Sequence, residues 1–352
     1  MTIDERKEKF LILGKFLGQF GFSEFKKEAD LPCNDPYFEE FKEKIDAAVH
    51  YNGWFTKENV IFSVQQWASA LTEANLEKWL SSYSFKDENP KQIAIIMAGN
   101  IPLVGFHDFV SVLLSGNKVL VKLSSNDEVL LPVLANYLIC IAPEFKDYIN
   151  FTSEKIQDFD AVIATGSNNT ARYFEYYFAN KPSIIRKNRN SVAILTGNES
   201  EEELKELGED IFRYYGLGCR NVSKLYVPKD YNFTPFFEAI YDWNHLLNHN
   251  KYINNYDYNK AVYLMSLFKL VENGFLILKE DASFGSPIGS LFFEYYTDLN
   301  ELKKEIQQQK ENIQCVVSKG IFENEIDFGA TQKPKLWDYA DGVDTMEFLN
   351  NL

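Results

Sequence analysis

The chain is poor in the residues that build metal sites and disulfide frameworks. Its 352 residues include only four cysteines and four histidines. Cys33, Cys140, Cys219 and Cys315 are widely scattered and no Cys-x-x-Cys occurs. No disulfide framework is expected, and a reducing cytoplasm is the simplest home. His245 and His249 share i,i+4 spacing in "WNHLLNHN", but the His-Glu-x-x-His pattern is missing and no zinc site is expected. Positive charge is also scarce: 36 Lys and Arg against 51 Asp and Glu leave a net charge of −15. No basic footprint for nucleic acid exists, so no nucleic-acid partner is expected. An anionic ligand would need local Lys, Arg or helix N-termini. No apolar run approaches the ~18 residues of a membrane-spanning helix. The first ten residues, "MTIDERKEKF", are charged and no apolar segment follows, so no secretory signal is expected.

What is present suits a large folded core. Hydrophobic residues make up 45% and aromatics 15%. The length suggests two domains. Residues 1–85 place apolar side chains at helical spacing, as in "EKFLILGKFLGQF". The texture then changes to alternating strands and helices. "QIAIIMAG", "KVLVKLS" and "FDAVIATGS" read as strands, and "PLVGFHDFVSVLLSG", "DEVLLPVLANYLICIA" and "NNTARYFEYYFANK" as helices. This alternation implies a parallel sheet. A second alternating block starts near Pro182. Its strands are "SVAILTG", "SKLYVP", "GFLILKE", "GSLFFEYY" and "IQCVVSK". Its helices are "SEEELKELGEDIFRYYG", with a capping box at Ser200 and Glu203, "PFFEAIYDWNHLL" and "LNELKKEIQQQKEN".

Ligands of open parallel sheets bind at the carboxyl ends of strands. Three such ends in the first block carry polar or small residues. Asn100 follows Gly99, and its amide suits an oxyanion or a turn cap. Lys122 ends the second strand and leads into Ser124 and Ser125; it suits a ribose or phosphate, or a solvated surface. Thr165, Gly166 and Ser167 open a helix, as an N-cap or a pyrophosphate site. The Gly-x-Gly-x-x-Gly fingerprint is missing. In "GLGCRNVSKLYVP", Cys219 sits at a helix-to-strand turn with Arg220 beside it and Arg213 upstream. Cations and backbone N–H groups could make it a nucleophile, though most such thiols are inert packing residues.

The ordered set is more specific than its members. "AGNIPL … LLSGNKVLVKLSS … VIATGS … SVAILTG … YYGLGCRNVSKLYVP" resembles the aldehyde dehydrogenase superfamily across residues 92–290. Within it, the chain looks most like the short LuxC-type acyl-CoA reductases. The resemblance implies two Rossmann-like three-layer α/β domains behind a helical N-terminal region. Residues 1–185 would carry the helices and the cofactor, and 186–330 the nucleophile. Residues 331–352 would be a tail returning to the cofactor domain or an oligomer interface. It makes Cys219 the nucleophile and Asn100 the oxyanion donor. Lys122, Ser124 and Ser125 would meet the adenosine ribose, and Thr165, Gly166 and Ser167 the pyrophosphate. Phe284, in "ASFG", would stand where relatives clamp the nicotinamide ribose.

Departures from the pattern refine the expectation. Relatives that oxidise aldehydes carry a water-activating glutamate where alignment puts Arg186, so hydrolysis is disfavoured and CoA-linked reduction favoured; Arg186 is also expected, from its aligned position, to lower the Cys219 pKa. Ser125 replaces an acidic ribose ligand, which favours NADPH over NADH. Ala282 replaces the clamp's glutamate, and Leu217 stands where relatives often have glutamine. The implied activity is reduction of a long-chain acyl-CoA to the aldehyde by a cytoplasmic homodimer. The alternatives are a short-chain CoA-acylating dehydrogenase, an acyl-phosphate reductase, or a non-enzymatic scaffold.

Overall fold

The computed structural model describes residues 1–85 and 89–352. It divides into two compact units, residues 1–187 with 335–352, and residues 188–334. Among the described residues no helix is long and apolar enough to cross a membrane.

The first unit opens with α1 (Ile3–Gly18), α2 (Asn34–Tyr51), α3 (Lys57–Ala70) and α4 (Glu73–Leu80). A capping box starts α1: Thr2 Oγ1 accepts from the Glu5 N–H, and the Glu5 carboxylate accepts from the Thr2 N–H at 2.7 Å. Then follow β1 (Gln92–Ile96), α5 (Phe106–Leu114), β2 (Lys118–Lys122), α6 (Leu131–Ile141) and β3 (Ile149–Phe151). Next come β4 (Ala161–Thr165), α7 (Asn168–Tyr177) and β5 (Ser183–Arg186). These strands form a parallel sheet in the order β3-β2-β1-β4-β5. Alternate residues serve opposite faces. Ile93, Ile95, Val119, Val121 and Ile163 join the core built with the N-terminal helices, α5 and α6. Ala94, Val162 and Ala164 pack on the other face with Phe174 and Phe178.

The second unit comprises β6 (Asn190–Ile194), α8 (Glu201–Phe212), β7 (Val222–Pro228), α9 (Thr234–Ala239) and α10 (Asn250–Met265). It continues through β8 (Leu270–Glu272), β9 (Ile277–Glu280), β10 (Ser290–Tyr296), α11 (Leu299–Gln308) and β11 (Ile313–Val317). Its sheet runs β11-β6-β7-β10-β9-β8, parallel except for the β8–β9 pair. The capping box at Ser200 and Glu203 is present. A last helix, α12 (Thr345–Asn350), belongs to the first unit.

Three sequence expectations need correction. Cys33 and Cys140 form a disulfide with Cα atoms 6.2 Å apart, linking the start of α2 to the end of α6. Their separation of 107 residues hides this proximity in the sequence. The helix expected over 200–216 stops at Phe212, because Tyr214, Tyr215 and Gly216 take φ values of 55°, 59° and 76°. The helix expected from Pro102 starts only at Phe106, so the loop that carries Asn100 runs on through Gly105.

Candidate functional site

In the first unit, β1 lies between β2 and β4, so the loops leaving their carboxyl ends are neighbours. These loops carry Asn100, Lys122 to Ser125, and Thr165 to Ser167. The chain runs from β1 outward to β2 and β3, then returns to β4 on the other side. This reversal marks where an open α/β sheet leaves a crevice.

The Asn100 loop is closely built. A Cβ at Gly99 would sit 2.6 Å from Ser124 Oγ, so only glycine lets these two loops approach. Asn52 Nδ2 donates to the Gly99 and Asn126 carbonyls at 3.4 Å each. Ser63 Oγ donates to the Pro102 carbonyl at 2.9 Å, and the Leu103 N–H to Asp127 Oδ2 at 2.8 Å. Asn100 itself is exposed. Burial pushes the Asp127 carboxyl up to about 7, with the Leu103 N–H opposing the shift.

Lys122 is half-buried and donates from Nζ to the Glu154 carbonyl at 3.0 Å. Ser124 Oγ accepts the Asn126 N–H at 3.3 Å, and Ser125 is exposed. Ser167 is the N-cap of α7, accepting the Thr170 N–H at 3.2 Å. Thr165 ends β4, and a Cβ at Gly166 would come within 3.0 Å of Thr170. A glycine backbone at the opening of a ten-residue helix, with a lysine two strands away, fits a dinucleotide's phosphates.

In the second unit, Cys219 is exposed on the loop entering β7, at the amino end of that strand. Both of its neighbours are anchored. The Gly218 N–H donates to Asn221 Oδ1 at 2.8 Å, and Arg220 Nε donates to the Thr331 carbonyl at 2.6 Å. The Cys219 carbonyl accepts from Ser191 Oγ at 3.0 Å. Asn221, 2% exposed, also donates from Nδ2 to the carbonyls of Asp210 and Arg213 at 3.0 and 2.8 Å. Asp210 in turn accepts from Gly329 N–H, Thr331 N–H and Thr331 Oγ1 at 2.7, 3.0 and 2.8 Å. Burial still raises its carboxyl to about 6, against those three donors. The left-handed Tyr214-Tyr215 pair is held from outside. Tyr214 is buried, and Tyr215 stacks on His249 with ring centres 4.3 Å apart. Strain at non-glycine residues persists only where surroundings fix it, commonly beside functional groups.

Phe284 joins the same edge of the second sheet. Its carbonyl accepts from Ser223 Oγ at 2.7 Å, one residue into β7. Lys224, fully buried, donates to the Ala282 carbonyl at 2.7 Å, pairs with Glu294 and lies 5.1 Å from the Phe284 ring centre. The 282–285 turn is therefore held by a lysine.

The cations expected to serve Cys219 have other partners. Arg213 makes a bidentate pair with Glu209, its Nε and Nη2 each within 3.0 Å of a carboxylate oxygen. Arg186, 7% exposed, is bound to Asp108 at 2.8 Å and Thr345 Oγ1 at 3.1 Å inside the first unit. Its charge is balanced there, so the expectation that it tunes the thiol is set aside. Asn221, Asp210, Ser191, Asp127 and Lys224 were not legible as site residues. Asn221 alone offered a hint, as a buried-type amide two residues after the cysteine.

The fold is that of aldehyde dehydrogenases. Aldehyde dehydrogenase 21 of Physcomitrella patens, in complex with succinate, superposes with a TM-score of 0.65 at 13% identity, covering 100% of this chain and 84% of that one. The Mycobacterium tuberculosis enzyme complexed with NAD+ gives 0.61 at 14%, covering 90% and 72%. The NAD+ complex of the Bacillus cereus enzyme gives 0.60 at 13%, also covering 90% and 72%. No curated protein matches by sequence. The family described as acyl-CoA reductase (LuxC) matches residues 22–237, more than half of the chain, and the chain belongs to that family.

Proposed function

We propose that this protein reduces a long-chain fatty acyl-CoA to the aldehyde, with NADPH as reductant and Cys219 as the acyl carrier. The observation that carries the reading is the Cys219 loop: an exposed thiol whose two neighbours and own carbonyl are each anchored. Such a loop is organised around its cysteine, in a chain of the acyl-CoA reductase family.

The Cys219 thiolate attacks the thioester carbon, and the carbonyl electron pair moves onto oxygen. Asn100 and the Cys219 N–H are assigned to that oxyanion. The pair returns, the bond to the CoA sulfur breaks, and CoA leaves as a thiolate that takes up a proton. When bound, the nicotinamide cofactor would supply the hydride that converts the Cys219 thioester to aldehyde and releases Cys219 as the thiolate. Lys122, Ser124 and Ser125 are assigned to the adenosine ribose and its 2′-phosphate, Thr165, Gly166 and Ser167 to the pyrophosphate, and Phe284 to the nicotinamide ribose. Support for reduction over hydrolysis comes from Arg186. An arginine bound to Asp108 cannot act as the base that activates water.

The test is covalent trapping with radiolabelled acyl-CoA in the absence of nucleotide. Wild type should retain label and Cys219→Ala none; label on the variant would sink the assignment. Nucleotide oxidation with palmitoyl-CoA, acetyl-CoA and an acyl phosphate, each with NADPH and NADH, then ranks the substrates.

A further inference from the structure

Asp127 is a buried carboxyl that the reaction leaves unused. It lies in the loop after β2, five residues beyond Lys122, and is 8% exposed. Oδ2 accepts the Leu103 N–H at 2.8 Å, while Oδ1 is buried with no hydrogen-bond partner among the described residues. Burying a carboxyl with one donor is costly, and an apolar residue would serve packing better.

Its effect is on backbone geometry. Leu103 has a φ of 57° and is 3% exposed. The left-handed conformation is unfavourable for leucine, and the Asp127 acceptor holds its N–H in that orientation. Ser63 fixes the preceding Pro102 carbonyl, and Asn52 bridges the Gly99 and Asn126 carbonyls. The segment 99–103 is therefore fastened to the loop bearing Lys122, Ser124 and Ser125 from both of its ends, with Asn100 inside the fastened stretch.

We infer that Asp127 is a positioning residue that fixes the Asn100 loop against the cofactor loop, so that Asn100 is presented in one orientation. The inference rests on the reading of Asn100 as the oxyanion donor. It assigns Asp127 no contact with substrate or cofactor.

The experiment measures single-turnover acylation of Cys219 by labelled palmitoyl-CoA, alongside NADPH affinity from nucleotide fluorescence. Asp127→Ala should slow acylation by about tenfold, less than the 10²–10³ typical of deleting an oxyanion donor outright. NADPH affinity should stay unchanged. Asp127→Asn should restore the rate to near wild type, since its amide oxygen can accept the Leu103 N–H. Ser63→Ala removes a different anchor of the same segment and should show the same split, which carries the test if Asp127→Ala does not fold. Wild-type acylation by Asp127→Ala, equal impairment of Asp127→Asn, or parallel loss of nucleotide affinity would each overturn the inference. A wild-type protein that never takes label overturns the acyl-enzyme reading and this inference with it, and is recognised without any variant.

Discussion

Asn221 and Gly218 are joined by a 2.8 Å hydrogen bond from the Gly218 N–H to the Asn221 side chain, across the backbone of Cys219. The other end of the same amide donates to the last-turn carbonyls of α8 and to Arg213. One side chain thus closes a helix end and shapes the Cys219 loop. It also braces three consecutive left-handed residues, of which only Gly216 is suited to that conformation. Asn221→Ala leaves buried groups unpaired, at about 1–3 kcal/mol. Asn221→Asp should be worse, because a carboxylate oxygen would face two carbonyls. Thermal melting and the iodoacetamide alkylation rate of Cys219 should both change, in that order of severity. Unaltered melting and alkylation in both variants would show that the amide is not what holds the loop.

Two buried carboxyls should each contribute stability that is lost as pH rises from acid to neutral. Asp127 stands at about 7 and Asp210 at about 6 in the fold, both above the ordinary 3.8. A carboxyl raised on folding keeps its proton longer in the native state. Its contribution is fully present below about pH 4 and is lost as pH rises through the folded value. The window for Asp127 is therefore about pH 4 to 7, and for Asp210 about pH 4 to 6. Asp127→Asn removes the charge that burial opposes. It should gain about 2 kcal/mol at pH 8, allowing for relaxation, and nothing at pH 4. Urea titrations at both pH values check this. A gain that is equal at the two would mean that ionisation of Asp127 is not its source.

The fold was readable where residue periodicity is simple. β4, "AVIAT", is buried through its first four residues, as a central parallel strand must be, and the alternation of such runs with helices announced both sheets. α10 escaped notice because its buried face is Tyr252, Tyr256, Asn259 and Tyr263, polar-tipped rings that do not read as an apolar stripe. β5 is only four residues long, one of them exposed. For the site, position in the chain was legible and partnership was not. Cys219, Asn100, Lys122 and the Thr165–Ser167 turn stood out as candidates at strand ends, and only their order, which resembles aldehyde dehydrogenases, suggested roles for them. The commitment of Arg186 to Asp108 spans 78 residues, and that of Asp210 to Thr331 spans 121. No local pattern encodes either pair. Arg186 therefore looked available to the thiol when its charge was already used.

The Cys33–Cys140 bond should be a stabilising clasp that reductant removes. It closes a segment with a sequence separation of 107 residues. Loop-closure entropy puts the upper limit near 4.7 kcal/mol for a loop of about this size, and measured values usually fall below it. Reduction should lower the melting temperature by several degrees, and Cys33→Ser/Cys140→Ser should melt at the lower value with or without reductant. Mass spectrometry after alkylation without reductant is the direct check. Two labelled thiols at these positions would show that the protein is held reduced and the clasp open.

Nucleotide preference should turn on Ser125. It is exposed, three residues past Lys122, where a neutral hydroxyl tolerates a 2′-phosphate. Ser125→Asp would place a carboxylate there. Two unit charges about 4 Å apart at a protein surface repel by about 4 kcal/mol at an effective dielectric of 20, and solvent and salt reduce this. A remainder of about 1.4 kcal/mol corresponds to tenfold in affinity. Ser125→Asp should therefore raise KM for NADPH about tenfold or more, while KM for NADH holds or falls as the new carboxylate accepts the ribose hydroxyls. Lys122→Ala should also discriminate, weakening NADPH more than NADH because the ammonium meets the extra phosphate. Measuring both nucleotides with one acyl-CoA isolates the effect. If Ser125→Asp shifts the two KM values equally, the adenosine ribose does not lie against this loop and the preference for NADPH must be withdrawn.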